Sequence, residues 1–360
     1  MENIFKDQTI LITGAAGSVG QELIRQLLPL RPAEIRVLDN NESELFLMSE
    51  QYRKQANFTA YFGDVRDIHK ISTVARGADM MFHCAALKHV YFSEYNPFDA
   101  VQTNILGVQN IIQAGIANEV KRVIFTSSDK AVNPTNVMGT SKLMGERLIT
   151  AANVVNHKRN QCFSSVRFGN VLGSRGSVFR IFVDQIKKGE PVTITDPGMT
   201  RFIMSLERAA ELVLKGAILA RGGEVMVTKM NVISILDLAK VMIEILAPFF
   251  RRDPNKVAIE FIGAKPGEKM YEELMNNEEV GRTIELAEMF VVLPAFRAIY
   301  GNIDYTYPSA QGKRVKRAYN SSQEEKLSSD ELKTFLINNR LLPLDLSPTE
   351  KGQRLAACES

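Results

Sequence analysis

The chain has 360 residues, 45% of them hydrophobic and 24% charged, enough apolar material for one enlarged α/β domain or two subdomains. Its 44 basic and 41 acidic residues leave a net charge of +3, a balance that excludes a nucleic-acid footprint but leaves room for local arginines facing an anionic small molecule. Three scattered cysteines, Cys84, Cys162 and Cys358, lack CxxC spacing and fit neither a disulfide framework nor a metal site, and no apolar run approaches the roughly 18 residues of a membrane span, so a cytoplasmic protein without membrane insertion is expected.

In chain order, short β-branched or aromatic runs predict strands at 9–13, 34–39, 58–64, 80–86, 122–128 and 162–168. Amphipathic stretches at 19–30 and 100–119 predict intervening helices, and the alternation implies a parallel sheet covered on both faces. Beyond about residue 170 the pattern loosens. Helices are expected at 205–220 and at 234–246, the latter capped by Ser234, followed by a strand in 257–263 and a helix after the Pro-Gly turn of "AKPGEKMYEEL". The fold class expected is α/β, a Rossmann-type doubly wound parallel sheet with a smaller, interleaved C-terminal substrate lobe. Residues 1–170 would form the dinucleotide-binding domain, 171–290 mainly the substrate lobe, and 291–360 an extension whose tail from about 345 is mobile.

Gly14, Gly17 and Gly20 follow the first strand and open the first helix at GxxGxxG spacing, which suits a pyrophosphate at a helix N-terminus. Asp39 closes the second strand about twenty residues on, where a carboxylate accepts from the adenosine ribose hydroxyls. That acid, with no arginine after it, favours NAD, NADP being the alternative. Asp64 in "GDVRD" is placed for the adenine edge or for a turn.

These motifs, together with "HCAALKHV", "TNILG", "TSSDK" and a Met138–Lys142 pair at MxxxK spacing, occur in the order found in the extended short-chain dehydrogenase/reductases. With "SSDKAVNPTNVMGTSK", "RFGNVLGSRGSV", "TDPGMTRF" and "KPGEKMYEEL", residues 8–285 resemble the UDP-N-acetylglucosamine 4,6-dehydratases of bacterial surface-polysaccharide pathways. The resemblance implies oxidation at sugar C4 by NAD, loss of water across C5 and C6, and reduction at C6. It assigns Asp129 as acid at the C6 hydroxyl, Lys130 as the C5 base and Lys142 to the nicotinamide ribose, with Ser128 beside them. Met138 stands where relatives of wider kinds have tyrosine, and it has a packing role. The proton of the C4 hydroxyl is left to Asp129, to Lys130, or to a water held by Ser128 and Lys142. A lysine base has to be neutral when it acts, so burial and nearby positive charge are expected to lower the pKa of Lys130.

The same resemblance completes the dinucleotide lining with Ala16, Ser18 and Val19, with Asn40, with Val65, with Ala85, Ala86 and Leu87, with Asn104, with Thr126 and Ser127, and with Phe168. On the sugar-nucleotide side it implies Lys88, Asn170, Ser177, Val178, Thr193, Ile194, Arg201, Lys265 and Glu268, and Arg175 as a further diphosphate group. His89 reads as a wall residue. A UDP-N-acetylhexosamine substrate and a homo-oligomer, with the helices near 97–118 and 138–156 as contact surfaces, follow from the resemblance, as does a soluble form without the transmembrane region of larger relatives. A nucleotide-sugar 4-epimerase and a non-catalytic NAD-binding sensor are the alternatives. The missing tyrosine counts against the first and the intact Asp129–Lys130–Lys142 set against the second.

Overall fold

A computed structural model describes residues 3–155, 161–174, 176–263, 266–296, 299, 303–308, 310, 312 and 314–342. The expected mobile tail, Cys358, Arg175 and Lys265 lie outside the described residues.

Six parallel strands build the first half: β1 (Thr9–Thr13), β2 (Glu34–Asp39), β3 (Phe58–Phe62), β4 (Met80–His83), β5 (Arg122–Ser128) and β6 (Cys162–Phe168). The helices between them are α1 (Ser18–Leu27), α2 (Glu42–Gln51), α3 (Ile68–Ala75), α4 (Val90–Tyr95), α5 (Pro97–Val101), α6 (Gly107–Ala117) and α7 (Val137–Val155). The remaining strands are β7 (Asn170–Val171), β8 (Val192–Ile194), β9 (Thr200–Met204), β10 (Val225–Thr228), β11 (Asn231–Ser234), β12 (Ile259–Phe261), β13 (Glu273–Met275), β14 (Thr283–Glu285), β15 (Met289–Val292) and β16 (Tyr319–Asn320). Among them lie α8 (Val178–Lys188), α9 (Leu206–Leu219), α10 (Ile235–Phe249), α11 (Asn277–Val280) and α12 (Ser329–Asn338).

The main sheet runs β14-β15-β10-β6-β5-β4-β1-β2-β3, with β10 parallel to β6; of these strands β15 alone runs against the others, pairing antiparallel with both β10 and β14. Strand order therefore reverses between β1 and β4, and the crevice at their carboxyl ends is where an open α/β sheet binds its ligand. Alternating side chains explain why both faces are covered. Ile10 and Ile12 of β1 join Leu23, Ile24 and Leu27 of α1 in one core, while Leu11 joins Ile71, Ile111 and Ile149 in the core on the opposite face. Each such fully buried aliphatic side chain stabilises the fold by about 1.5–3 kcal/mol.

Beyond residue 170 the chain divides its elements. β10, β14 and β15 extend the main sheet, whereas α8, α10 and α12 enclose a separate core around Phe182, Met242 and Leu336. The Ser234 cap expected for α10 is present, accepting from the Asp237 N–H. The helix expected after the Pro-Gly turn is not formed at Glu273–Met275, because these residues pair with β16 as strand β13, and only the short α11 follows. Among the described residues no helix is long and apolar enough to cross a membrane.

Candidate active site

The carboxyl ends of the parallel strands open into one cleft of about 1350 Å³. That exceeds the roughly 300–1,000 Å³ of a single small-ligand pocket and gives room for two ligands end to end. The glycine loop forms one wall. Gly14 has φ +68°, and a Cβ there would lie 2.4 Å from the Ala85 nitrogen; at Gly20 it would lie 2.6 Å from the Gly14 carbonyl oxygen. These two glycines let the turn pack against the β4 loop and α1. Gly17, at the N-cap of α1, has no side-chain cap, and the first helical turn carries no acid, so its N–H donors suit an anion. Asp39 at the end of β2 accepts from the backbone N–H of Ala16 at 2.9 Å and of Asn41 at 3.0 Å, which fixes its carboxylate at the groove. Asp64 is held by Arg66 in a turn, and this pairing, against burial, keeps its carboxyl below the usual carboxylate range. These residues fit a dinucleotide with its diphosphate at α1 and a ribose at Asp39.

Ala16, Ser18, Val19, Asn40, Val65, Ala85, Ala86, Leu87, Thr126, Ser127 and Phe168 also line the cleft. Asn104 does not. It falls in a π-helical turn, Gln102–Leu106, where its side chain accepts from Leu87 N and donates to Leu87 O and to Ser141 Oγ. Its amide is spent on the loop that carries Leu87 and Lys88, so the expected cofactor contact becomes a brace for the wall. π-turns of this kind often sit beside functional sites.

Lys142, one helical turn after Met138 on α7, reaches into the cleft and donates to the Thr126 carbonyl at 3.0 Å, over the Phe125 ring. Burial lowers its pKa to about 8, against the opposing pull of Cys84 and Glu146. Burial, with the Lys142 charge behind it, holds His83 neutral down to about 3, and burial pushes the Cys84 thiol up to about 12. Met138 is buried, and its carbonyl accepts from Ser141 Oγ, in keeping with a packing role.

The turn that carries Asp129 and Lys130 begins where β5 ends. Ser128 caps a short 3₁₀ turn, Asp129–Ala131, and Asp129 is fully buried behind it. One carboxylate oxygen, Oδ1, accepts from Ser128 Oγ at 2.7 Å, from the Lys130 N–H at 2.9 Å and from Lys130 Nζ at 3.1 Å. The other, Oδ2, is buried with no hydrogen-bond partner among the described residues. Ser128 and Lys130 line the cleft, so the carboxyl of Asp129 meets it through them. The expected lowering of the Lys130 pKa is not observed. Burial does favour the neutral amine, but the carboxylates of Asp129 and of Glu272, the latter 3.4 Å away, outweigh it and hold the ammonium above its ordinary range.

Sequence reasoning missed Glu272. Its motif, "KPGEKMYEEL", points to Glu268 by resemblance, and only the tertiary packing distinguishes the two. The loop that carries both is clasped to the segment after Asp129 and Lys130 by hydrogen bonds from Lys269 Nζ to the Val132 carbonyl at 2.7 Å and from Asn136 Nδ2 to the Gly267 carbonyl at 3.0 Å.

The cleft is lined as well by Lys88, Asn170, Ser177, Val178, Thr193, Ile194, Arg201 and Glu268. Arg201 is nearly buried. Its guanidinium donates to the carbonyls of Thr200 and Met270 and lies 3.7 Å from Glu268 and 3.8 Å from Glu272. Thr193 is bonded to Gln185, and the Ser177 hydroxyl, at the N-cap of α8, is buried without a partner among the described residues. His89 packs on Gly176, where a Cβ would come within 2.6 Å of the ring, in keeping with a wall residue. Among the described residues no group of acidic, histidine and cysteine side chains is placed to hold a metal.

A family model described as "Polysaccharide biosynthesis protein" matches residues 10–294. A Methanocaldococcus jannaschii protein described as an uncharacterized membrane protein is 46% identical over 93% of this chain and 97% of its own length. The capsular polysaccharide biosynthesis protein CapD of Staphylococcus aureus is 42% identical over 76% of this chain, which spans only 46% of CapD. A UDP-glucose 4-epimerase of Rickettsia felis is 34% identical over 93% of this chain and 97% of its own length. Among solved structures, Pen from Bacillus thuringiensis superposes with a TM-score of 0.87 at 42% identity, covering 94% of this chain and 99% of Pen. Bordetella bronchiseptica WbmF in complex with NAD+ shares the fold, with a TM-score of 0.56 at 19% identity over 73% of this chain and 83% of WbmF. Sheet order, glycine loop and family match converge: with the Rossmann-like fold of the short-chain dehydrogenase/reductases, the chain belongs to the polysaccharide biosynthesis protein family.

Proposed function

We propose that the protein is an NAD-dependent nucleotide-sugar 4,6-dehydratase acting on UDP-N-acetylglucosamine or a close UDP-N-acetylhexosamine, and so a lyase. The observation that carries this reading is the catalytic turn. A lysine amine lines the cleft, tied to a buried carboxylate that a serine hydroxyl connects to the same cleft, and Met138 stands where a 4-epimerase needs a phenol. An epimerase has no use for a C5 base and a C6 acid; a dehydratase needs both.

Bound NAD would supply the reversible oxidising power, taking two electrons at C4 and returning them at C6, with no net redox change. The chain's own groups handle the protons. Ser128 takes the proton of the C4 hydroxyl as its own passes to Asp129 Oδ1 over the 2.7 Å hydrogen bond. The C4 ketone acidifies C5, and Lys130, its own proton given up beforehand to solvent in the cleft it lines, accepts the C5 proton. Asp129 returns its proton through Ser128 to the departing C6 hydroxyl, which leaves as water. Lys130 then gives its proton back to C5 as C6 is reduced. Lys142 stays at the nicotinamide end, where its amine fits a ribose, and Arg201, Asn170 and Glu268 are assigned to the sugar-nucleotide side.

The second reading is a UDP-sugar 4-epimerase, favoured by relatives at 34–35% identity that are named UDP-glucose 4-epimerases. Incubation with NAD+ and UDP-N-acetylglucosamine in deuterium oxide separates the two. A 6-deoxy-4-keto sugar with solvent deuterium at C5 is expected; a 4-epimer with no label at C5 would establish the epimerase instead. A homo-oligomer belongs to the proposal as well. Tyr95, Phe98 and Leu106 are exposed on one stretch of helices, and apolar surface of that kind favours self-association. A monomer by light scattering would remove that part.

A further inference from the structure

Glu272 enters the site from the opposite lobe. It precedes β13, and its backbone is pinned by Ser321, whose Oγ accepts from Glu272 N at 3.0 Å and whose N–H donates to Glu272 O at 2.9 Å. Its side chain is 4% exposed and lines the cleft. Oε1 lies 3.4 Å from Lys130 Nζ and 3.8 Å from Arg201 Nε, while Oε2 is buried with no hydrogen-bond partner among the described residues. Two carboxylates from different parts of the chain therefore bracket one amine, and each keeps one buried oxygen unpaired.

We propose that Glu272 is a positioning residue of the proton-transfer set, holding the Lys130 amine at the cleft and setting the pH at which it releases its proton. The catalytic consequence rests on the dehydratase reading; the effect on Lys130 itself does not. The groups facing Glu272 are Asp129 and Lys130 of the catalytic turn, Arg201 of β9 and Lys269 of its own loop, with Glu268 paired to Arg201. Burial raises the Glu272 carboxyl above its usual range, and Asp129 adds to this while Lys130 and Arg201 oppose it. Lys130 is raised too, so the cluster as a whole retains protons that isolated groups would release. An amine in that state is an acid or an anchor, not a base, until one carboxylate is neutralised or displaced. Removing the negative charge of Glu272 takes away one of the two groups that keep Lys130 charged, so its proton leaves at lower pH.

The test is trace acetylation of Lys130 with acetic anhydride as a function of pH, followed by mass spectrometry of the peptide that carries it. Wild type, Glu272→Gln and Glu272→Asp are compared, with circular dichroism to show that each is folded. In Glu272→Gln the labelling midpoint is expected to fall by about one pH unit or more, giving roughly tenfold higher reactivity on the rising limb. Glu272→Asp, which keeps the charge at a longer reach, is expected to fall in between. The pH dependence of C5 deuterium wash-in should move in the same direction by a similar amount. An unchanged Lys130 midpoint in folded Glu272→Gln overturns the inference. If that variant does not fold, an unchanged midpoint in Glu272→Asp does so. A shifted midpoint in a protein whose wild type shows no C5 wash-in supports the inference about Lys130 and removes the dehydratase reading alone.

Discussion

Ser128 Oγ donates a 2.7 Å hydrogen bond to Oδ1 of Asp129, the carboxyl that sits fully buried behind it. Ser128 and Lys130 both bond Asp129 and both line the cleft, so a proton has a path between a sugar hydroxyl and the carboxylate without direct contact. On the dehydratase reading, Asp129→Asn is expected to lower turnover by about 10²–10⁴, the range for loss of a general acid–base group, and Ser128→Ala by somewhat less because a water can occupy the gap. Formation of the 4-keto product, followed by its absorbance in base, measures both. Near-normal turnover in Asp129→Asn removes Asp129 from the proton path.

Lys142 carries its own pH signature. With its pKa lowered by burial to about 8, its ammonium is present at pH 7 and mostly gone by pH 9. If that charge helps to hold the nicotinamide ribose and the dinucleotide, NAD affinity should fall as pH rises through 8, and Lys142→Met should bind more weakly at pH 7 without that dependence. Calorimetric titration at several pH values measures it. A flat wild-type profile between pH 7 and 9 counts against the lowered pKa or against the contact.

The parallel sheet was legible because its signals are local. Each of the six expected strands is present, though the third and fourth end at Phe62 and His83, short of the predicted limits, where the chain turns to form the cleft wall. The adjacency of Asp129 and Lys130 at the tip of β5 was equally visible. The charge state of Lys130 was not, because it depends on a glutamate from the other lobe whose sequence context hardly differs from that of Glu268 or Glu273. The residues of "MYEEL" favour helix intrinsically, yet pairing with β16 makes a strand of Glu273–Met275, a tertiary override of a weak local preference. Asn104 was misplaced for a similar reason: its motif marks the neighbourhood of the groove, but its amide is engaged by Leu87 and Ser141.

His83 gives the fold an acid-side weakness. Its ring lies fully buried in β4, with Nδ1 2.7 Å from Thr13 Oγ1, and its folded pKa is lowered from 6.5 to about 3, chiefly by burial. The unfolded chain therefore takes up this proton first as pH falls. The contribution to stability is fully present above about pH 6.5 and is lost progressively down to pH 3, at up to roughly 1.4 kcal/mol per pH unit. His83→Gln, compared with wild type by urea denaturation between pH 7 and 4.5, should show a shallower loss. Parallel pH curves for the two proteins would mean that other groups govern the acid limb.

A buried guanidinium holds the two lobes in register. Arg167, at the end of β6 and fully buried, forks onto Glu146 of α7 at 2.6 and 2.9 Å, onto Glu279 of α11 at 3.0 Å, and onto the Leu274 carbonyl at 2.8 Å. α7 carries Met138 and Lys142, and Leu274 lies two residues after Glu272, so one guanidinium ties the helix of Lys142 to the segment that carries Glu272. Arg167→Met leaves two buried carboxylates without their counter-charge. That is expected to cost about 3–5 kcal/mol, the usual penalty for breaking a buried ion pair from one side. Pairing Arg167→Met with Glu146→Gln and Glu279→Gln should recover much of the loss, because the uncompensated charges go with it. Denaturation midpoints of the single and triple variants decide between a charge-driven cost and a packing one. A triple variant no more stable than the single would show that the shape of the guanidinium, and not its charge, is what joins the lobes.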